Sequence, residues 1–278
     1  MKFQQTCVRA RDGGHSVGFV PTMGALHEGH AALIAAAKQE TAWAAVSIFV
    51  NPLQFSQNED FGRYPVTRER DMALCERQGV DVVFAPEASH LYPEGFQTFV
   101  DVTSLGQQLE GLHRPGHFRG VCTVVTKLLC LAGPCQVWMG RKDYQQAKVV
   151  QRLVSDLNLP AKVRLHATVR DSSGLALSSR NAYLSADDYP RALCLVQALR
   201  AAGHAFAQGE QRVQKLIALA TDILQHQATK IDYVALVEPD QLTKLSDLVP
   251  NHALLALAAY VGQTRLIDNM VLGDDPIP

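Results

Sequence analysis

The sequence predicts an α/β protein: a doubly wound parallel sheet followed by a second, smaller α+β unit. Three patterns carry that expectation. Short apolar runs recur before residue 170 and stop at Pro or a polar loop. Stretches with helical apolar spacing lie between them. Near residue 170 this alternation gives way to two longer helical stretches and then three strand-like runs. Strands separated by helices need crossover connections, which produce a parallel sheet covered on both faces.

Residues 16–20 (SVGFV) form the first apolar run, closed by Pro21, and His30, Leu33, Ile34 and Ala37 mark one face of the helix after it. Residues 44–50 (AAVSIFV) read as a buried strand, 68–78 as a helix, and 80–85 (VDVVFA) as a strand stopped by Pro86. A helix is predicted over 123–131, a strand over 136–139, a helix over 145–157 and a strand over 161–167. Beyond the polar turn Arg170-Asp171-Ser172-Ser173-Gly174, two amphipathic helices are predicted over 187–207 and 211–225, then β-like runs at 231–237, 253–261 and 265–271. That turn sets the expected division into 1–170 and 171–278. A chain of 278 residues suits one full domain plus a smaller one.

Hydrophobic residues at 47% supply ample material for a core. The formal net charge is -1 with no run of Lys and Arg, which argues against nucleic acid as a partner. No apolar stretch approaches the ~20 residues of a membrane span, and the N-terminus lacks the apolar centre of a secretory signal. The six cysteines show no C-x-x-C spacing, as suits reduced thiols. The expectation is a cytoplasmic protein.

Five segments carry candidate chemistry. PTMGALHEGH (21–30) lies between a strand and its helix, where a helix N-terminus offers N–H groups to phosphates. His27 and His30, three apart, share a helical face and could address one phosphate, while Gly24 and Gly29 let a nucleotide approach the backbone. A zinc protease needs histidines at i and i+4, a dinucleotide site needs G-x-G-x-x-G, and neither is present. The plain alternative is a helix entry with solvent-facing histidines. SIFVNPLQF (47–55) runs from a strand into Asn51 and Gln54, amides suited to hydroxyl and carboxylate recognition, or simply an Asn-Pro turn. LEGLHRPGHFRG (109–120) reads as a loop that either closes over an anion or forms a solvated turn. MGRKDYQQ (139–146) puts Lys142 at a helix start, electrostatically misplaced unless it neutralises a phosphate; Asp143 there could be a cap. LALSSRNAYLS (175–185) offers two hydroxyls and the Arg180 fork, which suit a phosphate clamp or an ordinary loop.

Taken together and in order, these segments resemble the pantothenate synthetase family, which joins pantoate to β-alanine using ATP. Further matches are Tyr64-Pro65, Leu91-Tyr92-Pro93 and GQTRLIDN (262–269), so the likeness spans nearly the whole chain. It implies a Rossmann-like first domain of the nucleotidylyl-transferase type and a smaller second domain acting as a lid. His27 and His30 are implied to contact the ATP phosphates, with Met23, Gly24, Gly140, Asp143, Val169 and Leu177 on the nucleotide side. Lys142 matches the lysine that stabilises the transferring phosphate, and Ser178, Ser179 and Arg180 match a second phosphate-binding signature. Gln54 and Gln146 match the glutamines that hold pantoate, with Asn51 and Met23 lining that pocket. The implied cofactors are ATP and Mg²⁺, the magnesium ligands being unassigned, and the implied assembly is a homodimer. Arg141 stands where the family usually has Glu, and Met139 where an aromatic is frequent. Adenylation needs no general base, because a carboxylate is already ionised at neutral pH; it needs alignment and charge neutralisation. The 109–120 segment and Ser178–Arg180 are expected to shut over ATP and keep a water-sensitive intermediate dry.

Overall fold

The structure, a computed structural model, describes residues 2–56 and 59–278. The chain divides into two compact units, Met1–Ala167 and Thr168–Pro278.

The first unit runs α1 (Lys2–Asp12), β1 (Val17–Thr22), α2 (Glu28–Glu40), β2 (Trp43–Ile48), α3 (Arg68–Arg77), β3 (Val82–Phe84), α4 (Ala88–Leu91), α5 (Glu110–His113), α6 (His117–Ala132), β4 (Cys135–Gly140), α7 (Tyr144–Asp156) and β5 (Ala161–His166). Its five strands are all parallel, in the order β3-β2-β1-β4-β5. In β1 the consecutive residues Val17, Gly18, Phe19 and Val20 are all buried, as a central strand covered on two faces requires. On one face Val20, Val46 and Trp138 pack with Ile34 and Ala37 of α2 and Leu74 and Cys75 of α3. On the other, Phe3 of α1 meets Phe19 and stacks on Phe84 at 4.6 Å.

The second unit contains α8 (Asp188–Ala192), α9 (Cys194–Ala207), α10 (Val213–Gln227) and the antiparallel sheet β6 (Lys230–Val237), β7 (Ala253–Val261), β8 (Thr264–Leu272). Leu195, Leu199, Leu216 and Leu224 of the helices pack against Leu255, Leu257 and Met270 of the sheet. Among the described residues no helix is long and apolar enough to cross a membrane.

Several expectations need correction. The first strand does not stop at Pro21 but continues to Thr22, because parallel pairing with Ser47 and Ile48 persists. The N-terminal residues, to which no element was assigned from sequence, form α1; only Phe3, Cys7 and Ala10 of it are buried, so its apolar stripe is thin. The helix expected over 123–131 starts six residues earlier at His117, after Gly116 takes a left-handed φ of 83°. The 187–207 helix is interrupted at Leu193, where the turn tightens to a Leu193 N–H bond on the Pro190 carbonyl.

Candidate active site

In an open parallel sheet, ligands bind outside the carboxyl ends of the strands where the strand order reverses. Here that point is the β1/β4 pair, joined through Gly18 with Gln136 and Phe19 with Val137. The chain leaving β1 is the 23–30 segment, and the chain leaving β4 at Gly140 is the 3₁₀ turn Arg141–Asp143. Two of the motifs singled out by sequence therefore issue from neighbouring strands at the reversal.

The histidines are capping residues. His27 is the N-cap of α2, with extended backbone, and its Nδ1 accepts the Gly29 N–H at 3.1 Å; His30 Nδ1 accepts the His27 N–H at 3.3 Å. This is a capping box built from imidazoles, with the rings 4.2 Å apart. Helix-entry N–H groups expected to await a phosphate are thus partly taken by the histidines themselves. Because each Nδ1 accepts, each neutral ring carries its proton on Nε2 and has a donor to offer there. Burial lowers the His27 pKa to about 4, assisted by the Lys142 charge and opposed by Asp143. Burial lowers His30 to about 3, with His27 and Lys142 adding to the effect. Both rings are neutral at pH 7, and both feel the same lysine. Lys142 is 18% exposed, with its Nζ 3.7 Å from Asp143 Oδ1, and Asp143 makes no capping bond to α7. The unusual Arg141 lies over the Tyr144 ring, 5.9 Å from its centroid.

The turn before His27 departs from ordinary backbone. Gly24 has φ 88° and Ala25 φ 49°. The buried Asp71 of α3 accepts the N–H groups of Ala25 and Leu26 at 2.9 and 2.8 Å.

A second cluster surrounds Asn51 and Gln54, both buried. Asn51 Nδ2 donates to Gln54 Oε1 (3.0 Å) and to the Gly120 carbonyl (3.1 Å), while its Oδ1 accepts from the Tyr92 hydroxyl at 2.8 Å. Gln54 Nε2 points at Met23 Sδ, 3.0 Å away, which links this cluster to the β1 loop. The 109–120 segment is not the open loop expected from Pro115 and Gly116. It is α5 and the first turn of α6, held in place from several sides. Arg114 forms a two-pronged pair with Glu59 at 2.6 and 3.0 Å, His117 Nδ1 meets the Gln54 carbonyl at 2.9 Å, and a Cβ on Gly120 would fall 2.1 Å from the Leu53 oxygen. Burial and the Arg114 charge lower His117 to about 4, so it too is neutral and donates to that carbonyl. Gln146 lies half-buried in the first turn of α7, and its neighbour Gln145 is buried, bonding Glu110 N–H and the Leu105 and Gln108 carbonyls.

In the second unit Val169 and Leu177 are joined by a Leu177 N–H bond to the Val169 carbonyl (2.9 Å). Arg170, between them, grips Asp268 of β8 with two bonds of 2.6 and 3.0 Å. Ser178 Oγ accepts the Arg180 N–H at 3.3 Å and opens the 3₁₀ turn Ser179–Tyr183, leaving Ser179 and Arg180 half-buried. Among the described residues no three or more His, Cys, Asp or Glu converge to hold a metal ion.

Asp71 and Glu59 lie outside every motif singled out from the sequence, and Tyr92 and Gln145 lie within such motifs but carry no assigned role there. Asp71 sits inside a charged helical run, RERDMALCER, that offers no hint of which carboxylate turns inward.

Residues 1–271 match the family model described as pantoate-beta-alanine ligase. A pantothenate synthetase of Acidobacterium capsulatum is 48% identical over 265 residues, covering 95% of this chain and 88% of that protein. A solved pantothenate synthetase of Thermus thermophilus superposes with a TM-score of 0.90 at 44% identity, covering 95% of this chain and 96% of that one. The pantoate-beta-alanine ligase of Francisella tularensis, solved in complex with beta-gamma ATP and beta-alanine, superposes with a TM-score of 0.78 at 33% identity, covering 99% and 97%. With a five-stranded parallel sheet, two motif loops leaving its reversal point and likeness along nearly its full length, this chain belongs to the pantoate-beta-alanine ligase family.

Proposed function

We infer that this protein is an ATP-dependent ligase that condenses pantoate with β-alanine to pantothenate, through a pantoyl-adenylate, releasing AMP and pyrophosphate. The observation that carries the reading is the convergence of the β1 and β4 exits, where the Lys142 charge acts on both His27 and His30.

In this reading, pantoate lies against Gln54, Asn51, Met23 and Gln146, amide and thioether groups that can orient hydroxyls and a carboxylate without titrating it. One carboxylate oxygen attacks the α-phosphorus; the new C–O–P bond forms as the bond to pyrophosphate breaks. His27 and His30 donate Nε2–H bonds to phosphate oxygens as neutral groups, and Lys142 and Arg180 supply the cationic charge that balances the transition state. Gly24, Gly140, Asp143, Val169, Leu177, Ser178 and Ser179 complete the proposed nucleotide contacts. The neutral amine of β-alanine then attacks the acyl carbon, the C–N bond forms, the acyl C–O bond breaks with its electron pair leaving on the AMP phosphate, and the nitrogen's proton passes to solvent. Magnesium would arrive on the triphosphate, an ion that keeps water and substrate oxygens as ligands and needs no all-protein cage.

The domain division 1–170 and 171–278, a covering role for the second part, a homodimeric assembly and a cytoplasmic location belong to the same proposal. The two compact units support a division near residue 170, the free, scattered cysteines suit a reducing compartment, and the covering role and the dimer rest on the family resemblance. Ligand-dependent protection of Ser178–Arg180 from protease tests the covering role, and sedimentation tests the dimer. The activity itself is tested by AMP formation with each substrate omitted in turn, and by exchange of labelled pyrophosphate into ATP. Exchange that proceeds without pantoate overturns the acid-activation reading.

A further inference from the structure

We propose that Asp71 is the positioning residue of the nucleotide loop: it sets where His27 and His30 present their Nε2–H donors. The inference rests on the reading that these two histidines contact ATP.

The loop's backbone is strained. A non-glycine residue at φ 49° is held there at a cost, and Ala25 follows Gly24 at φ 88°. Such a turn aims successive N–H groups at one point and makes a small anion nest. The nest is filled by the protein's own carboxylate. Asp71 Oδ2 accepts the Ala25 N–H at 2.9 Å and Oδ1 accepts the Leu26 N–H at 2.8 Å, with the Thr67 hydroxyl adding a third bond at 3.0 Å. Asp71 is 1% exposed, so these bonds are not shared with water. A Cβ on Gly24 would lie 3.0 Å from Oδ2, which leaves the loop little room to settle elsewhere.

The next residue is the N-cap, and both imidazoles are oriented by backbone N–H groups of this same stretch: Gly29 for His27, and His27 for His30. A shift of the 24–26 turn therefore moves both rings together. Asp71 does not reach substrate; it acts through the backbone. A carboxylate is required because two N–H donors and a hydroxyl converge on it. An amide in its place presents one oxygen and one NH₂ group, so one backbone donor faces another donor.

The test compares Asp71→Asn, Thr67→Val and His30→Ala with the parent enzyme. Asp71→Asn is expected to lower kcat/KM for ATP by about 10- to 100-fold, as loss of a bond to a charged group implies. Thr67→Val, which leaves both backbone bonds, is expected to lower it by only a few-fold. By NMR, the imidazoles of His27 and His30 should titrate closer to the ordinary 6.5 in Asp71→Asn than in the parent, where burial holds them near 4 and 3. A purely structural Asp71 would lower Tm and the folded yield while leaving kcat/KM per folded molecule and the histidine titrations unchanged; that result overturns the proposal. If Asp71→Asn does not fold, Thr67→Val decides, and unchanged ATP kinetics together with unchanged Ala25 and Leu26 amide shifts count against it. His30→Ala separates the two layers. Full activity in that variant removes the underlying site reading, whereas loss of activity there beside normal Asp71→Asn kinetics removes only the role given to Asp71.

Discussion

The two phosphate-motif segments named by the family resemblance, one in each unit, are fixed in opposite ways. In the first unit the 24–30 stretch is held by a carboxylate on backbone N–H groups and by neutral imidazoles capping their own helix. In the second unit the 169–177 reversal that leads directly into Ser178–Arg180 is tied to β8 by the Arg170–Asp268 ion pair, and the Asp171 carboxylate accepts N–H groups of Ser173 and Leu175 and the Tyr189 hydroxyl. The first arrangement orients particular ring atoms; the second closes a chain reversal by reaching a strand distant in sequence. Damage to the first should appear in kinetics, and damage to the second in stability.

The largest expected effect tests the second half of that contrast. Asp268→Ala leaves the Arg170 guanidinium, only 16% exposed, without its partner, and should cost on the order of 3–5 kcal/mol in denaturant unfolding. If stability is unchanged while ATP kinetics collapse, the contrast is reversed. Next in size, Lys142→Ala should lower kcat by about 10² to 10³, as for loss of a preorganised charge-stabilising group, with little change in Tm. Stopped kinetics with intact folding would place that lysine on the functional side.

The acid limb sharpens the first half. His27, His30 and His117 have folded pKa values near 4, 3 and 4 against an ordinary 6.5. Between those values the unfolded chain binds more protons than the folded one, so stability is full above about 6.5 and declines as pH falls toward 4. Tm measured across that range should fall, and less steeply in His117→Asn. A flat profile in the parent would contradict neutral, buried imidazoles. The smallest effect is expected from Tyr92→Phe, which deletes the hydroxyl donating to Asn51. It should cost about 1 kcal/mol, seen as a several-fold rise in KM for pantoate with ATP kinetics unchanged.

Much of this was legible beforehand. The central strands β1 and β2 show as largely apolar runs because a sheet covered on both faces leaves few polar residues at its centre, and the motif loops sit at their carboxyl ends; the edge strand β5 (AKVRLH), only partly buried, alternates polar and apolar residues instead. What stayed hidden depends on which way a side chain turns. Asp71 is one of several charges in its helix, and Gln145 and Gln146 are adjacent amides of which only the first is buried. The 109–120 segment looked like a loop because Pro115 and Gly116 interrupt helical spacing. The left-handed Gly116 instead separates two helical pieces, and Arg114 and His117 turn inward onto Glu59 and the Gln54 carbonyl.

The pairing of β1 with β4 also bears on biosynthesis of the enzyme. A nascent chain emerging from the ribosome carries the HEGH helix entry long before residues 135–143 exist to stand beside it. β2 and β3 can join β1 early, while one edge of that strand waits for a partner encoded far downstream. Parallel pairing over such a separation is slow and leaves an open edge in the interim. The proposed nucleotide site is thus a late product of translation, and truncation before Cys135 should yield a chain prone to aggregate and unable to bind nucleotide.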